Sequence, residues 1–151
     1  MDDEIDPRRA LDPLTYDIIG AAIDVHRYWG PGYLERVYHK SLEIELQLRG
    51  LDVQREIPFP LAYRGVNLGT NYRADMICGN VLVEVKAHSG IHDADIAQVV
   101  HYLRSSGLGR GLLLNFGLPA LQKRRVIVGD NSLVSAVSVG SVPTPNEGTT
   151  T

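Results

Sequence analysis

Asp75, Glu84 and Lys86 stand close together near the middle of the sequence, each within a run rich in β-branched and apolar residues. Those runs flank Gly79-Asn80, a pair that supplies the positive φ angles of a two-residue hairpin turn. The turn predicts Cys78 against Val81, and this register sets Asp75 across from Glu84 and Arg73 across from Lys86. Side chains alternate along a strand, so Ala74, Met76, Cys78, Val81, Val83, Val85 and Ala87 should share one face. Arg73, Asp75, Ile77, Leu82, Glu84 and Lys86 should share the other. Two facing carboxylates repel, increasingly so as water is excluded. A divalent cation bridging them would offset the repulsion, with Lys86 as a cationic neighbour on the same side. A hairpin with a merely solvated charged face is the ordinary alternative. Opposed like charges at the hairpin centre weigh against it.

The elements that would position these groups follow from periodicity. Ile18, Ile19, Ala22, Val25 and Trp29 recur at helical spacing over residues 14–29, with Thr15 as the expected cap. Gly30-Pro31-Gly32 breaks that helix, and a second runs over residues 34–49 to Gly50. Glu35 and Tyr38 share a face of its first turn, where dipole complementarity and packing would account for them without a site. Residues 51–61 alternate as a strand that Pro58 and Pro60 mark as an edge or as ending early. Arg64-Gly65 turns the chain, and Gly69 and Asn71 predict a bulge or bend in the return, giving an antiparallel meander of about three strands. A third helix over residues 93–106 buries Ile96, Val99, Val100 and Leu103 and carries Gln98 and Tyr102 beside that stripe. His88 and His92 would read as metal ligands only if both lay on a helix. Residues 111–116 form an apolar run that suits a strand buried on both faces, and Val126-Ile127-Val128 reads as the last strand. It begins in Lys123-Arg124-Arg125, the densest basic patch in the chain.

With 151 residues the chain is one domain by length. Hydrophobic residues at 44% and charged residues at 22% exclude wholesale disorder. No run reaches the roughly 18 apolar residues of a membrane span, and the N-terminus is acidic, so the expectation is a cytoplasmic protein with no membrane partner. The single cysteine, Cys78, falls on the apolar face and rules out a disulfide framework. A net charge of −3 speaks against a broadly basic surface, but the acids concentrate in the first 13 residues and leave the body near neutrality. Binding to a phosphate backbone would therefore depend on local patches and on salt. The expected organisation is a flexible lead over residues 1–13, a domain over 14–140 and a disordered tail over 141–151.

Helix, antiparallel hairpin with Asp and Glu-x-Lys, helix with Gln, then a buried strand: this order resembles the PD-(D/E)XK nuclease superfamily. More narrowly, Gly32-Tyr33-Leu34-Glu35-Arg36-Val37-Tyr38 is similar to the signature of the GxxExxY protein family within it. The likeness spans residues 14–128 and includes Gly30-Pro31-Gly32, Arg73-Ala74-Asp75, Glu84-Val85-Lys86, Gln98 with Tyr102, and Asn115-Phe116-Gly117. Ala74 departs from the superfamily's proline before the aspartate. The resemblance implies an α/β fold, a restriction-endonuclease-like core in which a mixed sheet with an antiparallel meander is flanked by helices. It implies that Asp75, Glu84, the Val85 carbonyl and Glu35 hold Mg²⁺, with Mn²⁺ able to substitute. Lys86 would activate the attacking water, and Gln98 would orient that water or Lys86. Tyr102, Arg73, Tyr38 and Lys123-Arg124-Arg125 are the implied contacts to nucleic acid. The implied activity is metal-dependent hydrolysis of DNA, with RNA as another substrate. A catalytically silent nuclease-like module, binding nucleic acid or protein, is the alternative. Cutting both strands of a duplex generally calls for two sites, which a homodimer would supply.

Overall fold

A computed structural model describes residues 12–129 and the strand Val134–Val137. Nearly all of the expected lead, and the whole of the expected tail, lie outside the described residues. In chain order the elements are α1 (Pro13–Trp29), α2 (Glu35–Leu48), β1 (Val53–Tyr63), β2 (Val66–Cys78), β3 (Val81–Lys86), α3 (Asp93–Ser106), β4 (Arg110–Asn115), β5 (Gln122–Val128) and β6 (Val134–Val137). Strand β6 was not anticipated from the sequence. The strands form one six-stranded sheet in sequence order, antiparallel throughout except that β3 and β4 run parallel. A parallel pair needs a crossover, and α3 supplies it.

Three layers result, and the molecule has the mixed α/β sheet of a restriction-endonuclease-like core. One face of the sheet packs Met76, Cys78, Val81, Val83, Val85, Leu112 and Leu114 against α1 and α2. The other packs Leu82, Leu113 and Val126 against Val99, Val100, Tyr102 and Leu103 of α3. Strands β3 and β4 are thus covered on both sides, as the unbroken apolar run of β4 predicted. Each fully buried Leu or Val there contributes roughly 1.5–3 kcal/mol.

Local signals set the element ends. The α1 cap is Asp12, whose Oδ1 accepts the Thr15 N–H at 3.1 Å, so Asp12 has the role expected of Thr15. Pro13 takes the first helical position, where a missing N–H costs nothing. At the other end Gly30 (φ 67°) and Gly32 (φ 105°) adopt conformations open to glycine and turn the chain into α2. Strand β1 lies at the sheet edge, as its prolines predicted, but it continues to Tyr63 instead of ending early. Pairing to β2 slips between Pro60–Asn71 and Ala62–Asn67, a bulge on β2 where Gly69 (φ 70°) was expected to interrupt it.

Candidate active site

The site forms where β2 and β3 stop pairing. The predicted register holds at Cys78–Val81, Ile77–Leu82 and Met76–Val83, after which the strands part. The expected Asp75–Glu84 and Arg73–Lys86 ladder pairs both lie beyond that point and do not form, while Arg73 remains paired with Pro58 of β1. The face pattern changes at the same place. Met76 lies in the cluster under α1 and α2, whereas Ala74, expected beside it, lies with Tyr72 in the cluster under α3. Strict alternation would have kept Ala74 with Met76, so the ribbon turns over at Asp75. Opposite, Glu56 sits at φ 49° in β1.

Parting strands leave backbone donors without ladder partners, and the two carboxylates take them. Asp75 Oδ2 accepts the Val85 N–H at 2.8 Å, and Glu84 Oε1 accepts the Asp75 N–H at 3.1 Å. Asp75 and Glu84 are therefore neighbours, each bonded to the other's strand. Glu84 is only 2% exposed. Burial, reinforced by the adjacent Asp75 carboxylate, pushes its pKa up to about 9, with Lys86 and the Asp75 N–H pulling against the rise. Cys78, fully buried on the opposite face, has its thiol raised to about 11 by burial and by Asp52.

Helix α3 supplies the next groups. Lys86 Nζ donates to Gln98 Oε1 at 3.0 Å, which fixes the amine beside the carboxylates. Tyr102, one turn along from Gln98, packs edge-on against Tyr72 at 4.8 Å. Burial and the charges of Glu84 and Asp75 raise its phenol to about 12, so it stays neutral. Being 4% exposed, it leaves the surface to other groups.

From the other layer, α2 brings Glu35 and His39 on successive turns. Glu35 is exposed at the rim, yet desolvation of its carboxyl raises its pKa; Lys86 opposes that rise, Asp75 adds to it, and His88 and His39 oppose it. His39 Nε2 lies 3.2 Å from the Asp75 carbonyl. Sequence reasoning missed His39, although its spacing of one turn from Glu35 was a usable signal.

Tyr38 is not at the surface. Fully buried, it stacks on Phe116 at 4.9 Å, donates its hydroxyl proton to the Gly30 carbonyl and accepts the Tyr33 N–H at 3.1 Å. It therefore holds the Gly30-Pro31-Gly32 turn that aims Glu35, and cannot touch nucleic acid. The basic triplet is divided as well. Arg124 pairs with Leu113, which faces α3, whereas Lys123 and Arg125 pair with Leu114 and Leu112, which face α1 and α2. Alternation along β5 thus breaks the expected patch in two. Arg73 is exposed on β2.

A further device is built on Asn115 and Gly117, which the sequence placed in the likeness without a role. Asn115, fully buried at the end of β4, accepts the His88 N–H at 2.8 Å and the Gly117 N–H at 3.2 Å. Its Nδ2 donates to the His88 carbonyl at 3.1 Å and to Gln122 Oε1 at 2.9 Å, and Gln122 also accepts the Ile91 N–H at 3.1 Å. The loop between Lys86 and α3 is thereby tied to the sheet. Gly117 is required there, because a Cβ would stand 2.0 Å from the His88 carbonyl oxygen.

The donor atoms nearest the break are carboxylate oxygens, those of Glu84 buried and those of Asp75 partly buried, which fits a hard divalent cation. Among the described residues no three His, Cys, Asp or Glu groups converge into a ready-made ligand cluster. His88 lies in a loop and His92 at the α3 cap, so the two do not share a helix face. No described helix is long and apolar enough to cross a membrane. The family model of the PD-(D/E)XK nuclease superfamily matches residues 12–126. Neither the curated proteins nor the solved structures yield a match.

Proposed function

The chain belongs to the PD-(D/E)XK nuclease superfamily, and on that premise we propose that it is a Mg²⁺-dependent phosphodiesterase that hydrolyses DNA by attack of water. The observation that carries this reading is the pair Asp75 and Glu84, each bonded to a backbone N–H of the other's strand, together with a lysine whose amine is held at 3.0 Å by Gln98. Asp75, Glu84 and the Val85 carbonyl would hold the ion, with Glu35 completing the set from α2, and Mn²⁺ would substitute. A bound divalent ion supplies a more acidic water and charge neutralisation at the phosphoryl oxygens. Lys86 holds positive charge where the phosphate gains negative charge, and Gln98 keeps the amine from swinging away. Tyr102, neutral and buried, lies one turn along α3 from Gln98. The narrower GxxExxY reading and a cytoplasmic location rest on the sequence.

A second reading, a silent nuclease-like module, draws on one observation: an oxygen of each central carboxylate is already bonded to a backbone N–H, and among the described residues no three acidic, His or Cys groups are gathered as a ready-made cluster. The deciding experiment incubates single-stranded, duplex and branched DNA, and RNA, with the protein in Mg²⁺ or Mn²⁺, beside Lys86→Ala and Asp75→Ala. Cleavage that falls by about 10²–10³-fold in Lys86→Ala is expected. Full activity in highly purified Asp75→Ala protein would overturn the proposal. Absence of Mg²⁺ and Mn²⁺ binding at millimolar concentration by calorimetry, together with a tight protein partner, would favour the module.

A further inference from the structure

Beyond the point where β2 leaves β3, the β1–β2 pair continues as a two-stranded ribbon closed by Arg64 (φ 48°) and Gly65 (φ 80°). Its root rests on α3 through Phe59 and Tyr72. Farther out no described residue covers it: every residue from 62 to 71 is exposed, with Tyr63 at 63%, Val66 at 67% and Leu68 at 55%. A two-stranded ribbon bare on both faces is marginally stable in water by itself. Its charge is also unusual for this chain. The sequence holds 18 acidic residues, yet none falls between 57 and 74, where Arg64 and Arg73 are the charged residues. Arg64 lies over the Tyr63 ring at 5.6 Å from its centroid, which keeps the guanidinium at the ribbon tip. Among the described residues neither Arg64 nor Arg73 joins an ion pair.

We propose that this ribbon is the DNA-gripping arm of the molecule and that it docks in the major groove of a B-form duplex beside the scissile phosphate. The inference rests on the nuclease reading for the presence of nucleic acid at Asp75, and it adds the substrate class: double-stranded DNA. Groove dimensions carry the choice. The B-DNA major groove, about 12 Å wide, admits a two-stranded ribbon, whereas the deep, narrow major groove of an RNA duplex does not. The same strand carries the arm and Asp75, so the two are fixed relative to each other. At about 3.3 Å per residue the chain from Gly65 at the tip to Asp75 spans at most roughly 33 Å, close to one helical turn of duplex. Arg64 and Arg73 meet the phosphates flanking the groove, and Tyr63, Val66 and Leu68 give the apolar surface for base edges and thymine methyls.

The test measures anisotropy of a labelled 30-base-pair DNA duplex, an RNA duplex of the same sequence and the single DNA strand. The buffer contains EDTA, so binding is read without cleavage, and the full-length protein is compared with Arg64→Glu/Arg73→Glu. Duplex DNA should bind at least tenfold more tightly than duplex RNA. The double variant should lose at least tenfold in affinity while keeping its circular dichroism and Tm, and Arg64→Lys/Arg73→Lys should restore most of it. The slope of log affinity against log salt should become shallower by about two in the glutamate variant. Equal affinity for RNA and DNA duplexes, preference for the single strand, or unchanged binding by the glutamate variant would each overturn the proposal. So would a dimer in sedimentation that the variant abolishes while DNA binding persists, since the occupant would then be a second copy. Failure of the nuclease reading is separable: the wild-type protein would cleave no substrate, whatever the arm variants bind.

Discussion

At Glu84 a carboxylic acid is buried within a central strand beside the Asp75 carboxylate, and its chemistry follows from that placement. Its folded pKa of about 9 exceeds the ordinary value of 4.5, so between those limits the folded state keeps a proton that the unfolded chain has released. The stabilisation is fully present below pH 4.5 and is lost as pH rises through about 9. The Tm of metal-free protein should therefore fall from pH 5 to pH 9, and Glu84→Gln, which stays neutral and keeps an acceptor, should flatten the curve. A cation bound here must displace that proton, so calorimetry in buffers of differing ionisation enthalpy should detect proton release near neutrality. Lys86 gives a different residue-scale expectation. Gln98→Ala leaves the amine in place but unanchored, so kcat should drop by about tenfold with KM little changed, a loss of roughly 1.4 kcal/mol in the transition state.

Among the elements, the hairpin was the most legible and still held a surprise. Gly79-Asn80 set its register locally, and the three observed pairs follow it. Its end was not legible, because the turn-over at Asp75 depends on β1, on Glu56 at positive φ and on α3 packing under Ala74. The same limit explains Tyr38: spacing placed it on one face with Glu35, but burial against Phe116 is decided by the residue that follows β4, far along the chain. Removing its hydroxyl in Tyr38→Phe should cost about 1–2 kcal/mol by denaturant titration, since two backbone partners lose a bond. Gly117→Ala tests the loop clamp. With a Cβ 2.0 Å from the His88 oxygen the backbone must move, which should destabilise by about 1–3 kcal/mol and lower activity through Lys86 and Gln98.

For the molecule as a whole, the site closes only when three layers meet: Glu35 and His39 from α2, Asp75 and Glu84 from the sheet, Gln98 from α3. Metal binding to the folded state alone should raise stability by about 2.7 kcal/mol at a hundredfold excess over Kd, readable as a Tm increase with Mn²⁺ that Asp75→Asn abolishes. Several features lay in the sequence itself: the helical hairpin, the hairpin register, the doubly buried β4 and the residue types Asp75, Glu84, Lys86 and Gln98. Each depends on neighbours within a few residues, where periodicity and turn chemistry act. Others were decided by tertiary structure alone. These are the parting of β2 from β3, the capture of both carboxylates by backbone N–H groups, the division of Lys123-Arg124-Arg125 between faces, and the Asn115 clamp. Burial, strand divergence and hydrogen bonds across distant segments arise from packing summed over the whole chain, and no local spacing encodes that sum.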